Sequence, residues 1–426
     1  MKIHNTLTKT REVFQTLVPG KVTIYMCGIT VYNLCHLGHA RTQMAADFIV
    51  RYLAYQKYDI TWVRNITDID DKIIQAASKL QLDIHTLSSQ MITAMQKDFK
   101  ALGLLEPEHQ PRATEYLPEM IAMIKELINK GNAYVHEGSV WFNIASYPEY
   151  GCFRHPTSKS SEADFVLWKK AKPEEPSYPS PWGAGRPGWH IECSAMSKAF
   201  LGERFDIHLG GKDLIFPHHE NEIAQSFNCH GCIPARYWMH IGLLQIEGRK
   251  MSKSLNNFID IKSLLSVYSA QDIRFFFLQT HYRHDATYTT EHMESSATAF
   301  KNLVHSLRRH PEVIGIDNSV IQAFELHMND DFNTPEVCAL LFRCKKLWNS
   351  TNCSILGNTI LLILETLGFN FETNLSIKEI EELIFERANC KLEGNFSRAD
   401  EIRGHLAHHD VFLSDVGSKT HWYIKK

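Results

Sequence analysis

The sequence predicts an α/β chain: a parallel-sheet unit interrupted by an insertion, then a helical bundle and a small C-terminal domain. Three observations predict it. Strand, helix and strand patterns follow one another between Val22 and Val63, residues 145–188 are dense in proline and glycine, and from about residue 295 helical periodicity replaces strand patterning.

The first expected strand covers Val22–Cys27, where Val22, Ile24 and Tyr25 cluster before Gly28. A helix is expected from about Gly38 to Tyr55, because Met44, Ala45, Phe48, Ile49, Tyr52 and Leu53 repeat on one helical face. A second strand, Ile60–Val63, follows. Strand, helix and strand at this spacing make a βαβ unit with a parallel sheet and a right-handed crossover. Ligands on such Rossmann-like sheets bind beyond the carboxyl ends of the strands, which places the loop from Cys27 to His39 where chemistry is expected.

Residues 87–131 read as mainly helical. The breakers of 145–188, including the run Pro173–Pro181 and Gly183, Gly185 and Gly188, read as a long loop or insertion. A helix is expected from Pro217, since proline suits the first helical position. Thr334-Pro335-Glu336 reads as an N-cap with proline at the first position of a helix carrying Val337, Leu340, Leu341 and Leu347. The expected boundaries are 1–130 and 189–245 for the two halves of the parallel-sheet domain and 131–188 for the insertion. A lid and connector cover 246–295, a helical bundle 296–375 and the small C-terminal domain 376–426.

Composition sets limits but names no activity. The 426 residues are 44% hydrophobic with a formal net charge of -3, as in an ordinary soluble globular protein of several domains. No run of about 18 apolar residues suggests a membrane span, and Met1-Lys2-Ile3-His4-Asn5 lacks the apolar core of a secretory signal. Ten cysteines in so long a chain do not resemble a disulfide scaffold, so a reducing cytoplasm is expected. A pI near 6.8 argues against a strongly basic nucleic-acid binder.

Two short motifs carry phosphate chemistry. His36-Leu37-Gly38-His39 lies at the expected strand-to-helix junction, where free N–H groups and the helix dipole favour phosphate. Gly38, without a Cβ, lets a planar ring approach the backbone. Lys250-Met251-Ser252-Lys253-Ser254 offers two lysines and two serines on a polar loop flanked by Gly248 and Asn256-Asn257. For a metal, two sets compete. Cys27, Cys193, His218 and Glu222 supply thiolate, imidazole and carboxylate suited to zinc, with His218 and Glu222 four apart on the expected helix. Cys229-His230-Gly231-Cys232 supplies a C-x-x-C pair without a second pair at zinc-ribbon spacing.

In this order the two phosphate motifs resemble the signature pair of class I aminoacyl-tRNA synthetases, with Leu37 in place of the family's usual Ile. Four longer stretches are similar to the cysteinyl-tRNA synthetase family: Met26–Tyr32, Asn65–Lys72, Gly185–Met196 and Phe216–Gln225. The likeness runs from Asn5 to Trp422. It implies that His36, Gly38, His39 and Lys253 bind ATP, and that His36, His39, Lys250 and Lys253 stabilise phosphate charge as cysteine attacks. It implies one zinc on Cys27, Cys193, His218 and Glu222, taking the substrate thiolate, and a cysteine pocket lined by Thr67, Trp189, His208 and Asp213. ATP with Mg2+, L-cysteine and tRNA(Cys) are the implied partners of a monomeric enzyme.

Zinc suits the task, because sulfur and oxygen differ little in shape but greatly in coordination, and no segment resembles an editing domain. A cysteine ligase of the mycothiol pathway, or a non-catalytic RNA-binding paralogue, are the alternatives. Asp330–Pro335 and Thr420-His421-Trp422 speak against the first, the intact motifs against the second. Three departures from the family pattern stand out. Leu209-Gly210-Gly211 replaces three glycines after His208, which should narrow the pocket entrance. The insertion around Cys152–Glu162 is short. Over 376–426, basic residues do not outnumber acids.

Overall fold

The computed structural model describes residues 1–153, 164–173, 175–250, 258–305, 307, 315–371, 375–409, 411–416 and 419–424, with only the backbone described at Arg249, Lys250, Ile377, Ser414, Val416, Lys419, His421, Tyr423 and Ile424. Most of the short insertion, the residues Met251–Asn257 and hence Lys253 lie outside the described residues. The chain forms two compact units. The first comprises 1–245, 249–261 and 282–286, the second 246–248, 262–281 and 287–426.

The first unit opens with a hairpin, β1 (Lys2–Asn5) and β2 (Thr10–Val13), and continues with β3 (Lys21–Thr30), α1 (Leu37–Tyr55) and β4 (Asp59–Thr67). Helices α2 (Asp71–Leu80), α3 (Ile84–Ala101) and α4 (Leu117–Asn129) follow. Next come β5 (Ala133–His136), β6 (Ser139–Phe142), β7 (Phe165–Lys170) and β8 (Gly185–Pro187). The unit then runs through α5 (Trp189–Leu201), β9 (Phe205–Gly211), α6 (Glu220–His230) and β10 (Ala235–Ile241). The main sheet has the order β10-β9-β3-β4, every pair parallel. Central strand β3 buries Val22, Ile24, Tyr25 and Met26 completely, as a strand covered on both faces must. The six apolar residues expected on one face of α1 are all buried there.

Three expectations change. Residues 145–188 are not wholly irregular: β7 and β8 complete a four-stranded antiparallel sheet with β5 and β6. Their pairing is long-range, and Gly185 and Pro187 sit on an edge strand, where proline is tolerated, so local breaker signals hid it. The helix expected from Pro217 opens at Glu220, after a wide π-type turn over Ile215–His219 in which Phe216 is extended. In the second unit the cap of helix Thr334–Thr351 is Asn333, one residue earlier than expected, because Asp331 and Phe332 turn the chain with φ of 63° and 54°.

The second unit packs helices Ala270–Leu278, Thr290–Val304, Asn318–Met328, Thr334–Thr351 and Ser354–Thr366. Its last portion, helices Ile377–Leu392 and Phe396–His408 with the hairpin Val411–Val416/Lys419–Ile424, has a separate core of Ile380, Ile402, Leu406, Val411, Leu413 and Trp422. Among the described residues no helix is long and apolar enough to cross a membrane.

Candidate active site and metal centre

The centre is built at the carboxyl ends of β3 and β4. Their ladder runs in register to Met26 and Arg64, then slips before Ile29 and Ile66. Gly28 sits in the slip and donates its N–H to Asn65 Oδ1 at 2.8 Å. A Cβ there would lie 1.5 Å from the Asn65 carbonyl oxygen, so only glycine permits this approach. The slip presents Cys27 toward α5 and α6.

There Cys27 Sγ lies 3.4 Å from both Cys193 Sγ and Glu222 Oε1. His218 Nε2 lies 3.1 Å from the same Glu222 oxygen. One ligand atom from each of these four residues falls within 4.8 Å of every other, and all four residues are buried. Four polar groups so placed have desolvation to overcome, and the pattern of shifts shows how they share the problem. Burial and the neighbouring Cys193 push the Cys27 thiol up. Burial also opposes the Cys193 thiolate, but a hydrogen bond from Cys27 and the nearness of His218 bring it down to about 6. Burial works against the His218 cation, yet Cys193 and Glu222 hold it up to about 10. Against burial, His208 and His218 hold Glu222 down to about 2. One proton on His218 is thus asked to neutralise a thiolate and a carboxylate, a role that a divalent cation fills better.

Zinc fits these donors. His218 Nε2 is buried, faces Glu222 Oε1 at 3.1 Å and lies among the two sulfurs, where a ligand nitrogen would sit. Its other ring nitrogen is fixed by His190 Nδ1 at 2.9 Å. Two sulfurs, one imidazole and one carboxylate match the tetrahedral zinc set, and an orienting bond on the second histidine nitrogen is its usual support. A second set, Cys27, His208, His219 and Glu222, is equally compact. It omits Cys193, and His208 Nε2 is already bonded to Glu222 Oε2 at 2.8 Å, so the first set is favoured. The rival pair does not assemble: Cys229 Sγ points to the Met123 carbonyl and Cys232 Sγ to that of Glu203.

The expected cysteine-pocket residues divide. Thr67 is buried at the end of β4 and donates to Glu192 Oε2 at 2.9 Å. Trp189 is 37% exposed with its ring 4.3 Å from that of His218, which places it at the rim. His208 is fully buried, bonded to Glu222 and stacked on Trp238 at 4.3 Å. Asp213 is exposed, turned back over Gly211 and outside the buried cluster. Leu209 is fully buried and, by strand alternation, faces away from His208, so the expected narrowing of the entrance does not follow from it.

His190, His219, His240 and Trp238 were not singled out as site residues. His219 Nδ1 meets His240 Nε2 at 2.7 Å, and His240 Nδ1 meets Thr6 Oγ1 at 2.8 Å. The one signal for them was the density of histidine around 208–240; nothing local tied it to the metal set.

His36 and His39 form a reciprocal cap at the start of α1. The His36 ring accepts the His39 N–H at 3.2 Å, and the His39 ring accepts the His36 N–H at 3.3 Å, both at Nδ1. A neutral ring that accepts at Nδ1 carries its proton on Nε2, so each ring keeps a donor N–H on its second nitrogen. Burial and His36 hold His39 well below the usual histidine range, hence uncharged at neutral pH. The rings stack at 3.6 Å. Directly after the Lys-Met-Ser-Lys-Ser motif, the chain docks beside them: Leu37 N–H donates to Ile259 O, Ile261 N–H to Cys35 O, and the Phe258 ring meets His36 edge-on at 5.2 Å. Residues 258–261, which follow the second motif in sequence, are thereby held beside the first.

Residues 13–298 match the family model of the tRNA synthetases class I (C) catalytic domain, and residues 323–367 match the DALR domain. The chain is similar to a cysteine--tRNA ligase of Legionella pneumophila (strain Paris), with 44% identity over 99% of both chains. It is 42% identical to that of Nitrosomonas eutropha, again over 99% of both. Among solved structures it resembles Mycobacterium tuberculosis methionyl-tRNA synthetase in complex with methionyl-adenylate. That likeness has a TM-score of 0.59 at 15% identity over 82% of this chain and 89% of that one, which speaks for the fold alone. With its catalytic and DALR domains matched and full-length relatives of one name, the chain belongs to the cysteine--tRNA ligase family of class I tRNA synthetases.

Proposed function

We propose that the chain activates L-cysteine with ATP and Mg2+ and passes it from cysteinyl-adenylate to the terminal ribose of tRNA(Cys). The observation that carries this is the buried Cys27–Cys193–His218–Glu222 cluster beside the sheet's carboxyl ends. These four residues would hold one zinc, which when bound supplies a thiolate-selective coordination position. His36 and His39 give neutral N–H donors, and Lys250 and Lys253 cationic ones, to the phosphates where charge develops. Gly38 keeps the helix end open to the nucleotide. Thr67 and His208 border the amino acid, Trp189 covers it at the rim, and Asp213 is reserved for its polar end nearer solvent.

Domain roles follow the sequence boundaries: activation in 1–130 and 189–245, the acceptor end met by 131–188, closure by 246–295, and tRNA held by 296–375 and 376–426. The protein is proposed to act as a monomer in the cytoplasm. ATP–pyrophosphate exchange measured with each amino acid tests the reading. Cysteine should be the one substrate, and exchange with serine at a comparable rate would refute it. Conversion of an amino sugar instead of tRNA would favour the mycothiol-type ligase.

A further inference from the structure

Glu220 does not belong to the metal set, yet it is fully buried two residues before Glu222. Its carboxylate accepts three consecutive backbone N–H groups: Gly151 at 2.8 Å and Cys152 at 2.9 Å on Oε1, and Phe153 at 2.9 Å on Oε2. A run of N–H groups converging on one anion is a strong, oriented clamp, and a carboxylate is the side chain able to receive all three. The clamp fixes where the Phe153 ring goes. That ring meets Trp238 edge-on at 5.4 Å and His240 edge-on at 5.6 Å.

Both contacts lead back to the metal set. Trp238 stacks on His208 at 4.3 Å, and His208 bonds Glu222 Oε2. His240 bonds His219, whose Nε2 lies 4.0 Å from Glu222 Oε1. The path therefore leaves α6 at Glu220, crosses the Gly151–Phe153 strap and two ring pairs, and returns to α6 on both oxygens of Glu222. The geometry points to Glu220 as a positioning residue that, through Phe153, sets the orientation of the Glu222 carboxylate and so the affinity of the metal centre. This rests on the zinc reading above.

The test is zinc affinity, measured by competition with a chelator in the full-length chain, for the parent, Glu220→Gln, Phe153→Leu and the double variant. Supporting groups of this kind contribute roughly 10- to 100-fold in metal affinity. Glu220→Gln should weaken zinc by about tenfold or more, Phe153→Leu should weaken it too, and the double variant should be no worse than Glu220→Gln alone. Ile49→Val, a core change on α1 outside these contacts, controls for general loosening and should leave zinc affinity unchanged. Amide hydrogen exchange gives a readout independent of metal: Glu220→Gln should lose protection at 151–153 and 238–240. Parent-like zinc affinity in Glu220→Gln, additive loss in the double variant, or equal loss in Ile49→Val would overturn the inference. A parent without zinc would refute the metal reading, and exchange at 238–240 would then still decide the strap.

Discussion

Each unit gathers a cluster of charged side chains around at least one buried member, and the two clusters are finished differently. In the C-terminal portion, Asp415 receives Arg387 through both terminal guanidinium nitrogens at 3.0 and 2.9 Å, with Lys391 at 2.8 Å and Thr420 at 2.7 Å. Every oxygen of that carboxylate is used by the chain itself. In the catalytic unit, His208 Nδ1, His219 Nε2 and Glu192 Oε1 are buried without hydrogen-bond partners. Such atoms are costly unless something else meets them. Apart from the buried Arg387 Nε, the first cluster closes on itself as a structural lock; the second leaves ring and carboxyl atoms for something else to meet.

The sharpest way to break this contrast is at the metal set. Cys193→Ser should strip zinc and abolish cysteine-dependent exchange, whereas Cys229→Ser and Cys232→Ser should retain about one zinc per chain by metal analysis. Retention in Cys193→Ser with loss in the Cys232 variant would move the site to the C-x-x-C pair. Next in size is the removal of the C-terminal portion. A chain ending at Phe371 should keep pyrophosphate exchange, because every residue proposed for ATP, zinc or cysteine precedes it, while charging of tRNA collapses. Full charging by the shortened chain would show that the portion has no part in holding tRNA.

Lys253→Ala should slow adenylate formation by roughly a hundredfold, as the loss of one preorganised donor does, with zinc content unchanged. Exchange at the parent rate would remove Lys253 from the phosphate site. The smallest effect belongs to the lock. Asp415→Asn leaves the Arg387 guanidinium, 2% exposed, without its counter-charge. Because Asp415 is itself 37% exposed, water offsets part of the loss, and about 1–2 kcal/mol is expected in thermal or denaturant unfolding. Arg387 holds the Asp415 carboxyl far below the usual carboxylate range. A depressed folded value means that this stability is present above the unfolded value and fades as pH falls below about 4. Asp415→Asn should flatten that acid limb of the unfolding curve, and an unchanged limb would show that the pair does not govern it.

What the sequence made legible follows the range of the interactions involved. The β3–α1–β4 unit was readable because periodicity and turn residues are local signals, and the capping histidines sit where that unit predicts. Cys27, Cys193, His218 and Glu222 were readable as donor types, but their convergence depends on the β3–β4 slip and the packing of α5 and α6, which no spacing reveals. Only the family resemblance joined them. Strands β7 and β8 were missed because proline and glycine dominate their surroundings while their pairing is long-range. The Glu220 clamp was invisible for a related reason: its partners are backbone N–H groups, which carry no side-chain signature.

The most direct test of the metal centre as the seat of amino-acid choice is cysteine-dependent ATP–pyrophosphate exchange before and after zinc is stripped. Zinc removal should abolish exchange with cysteine, readdition should restore it, and serine should support none in either state. Exchange with cysteine that survives complete removal of zinc would contradict that role outright.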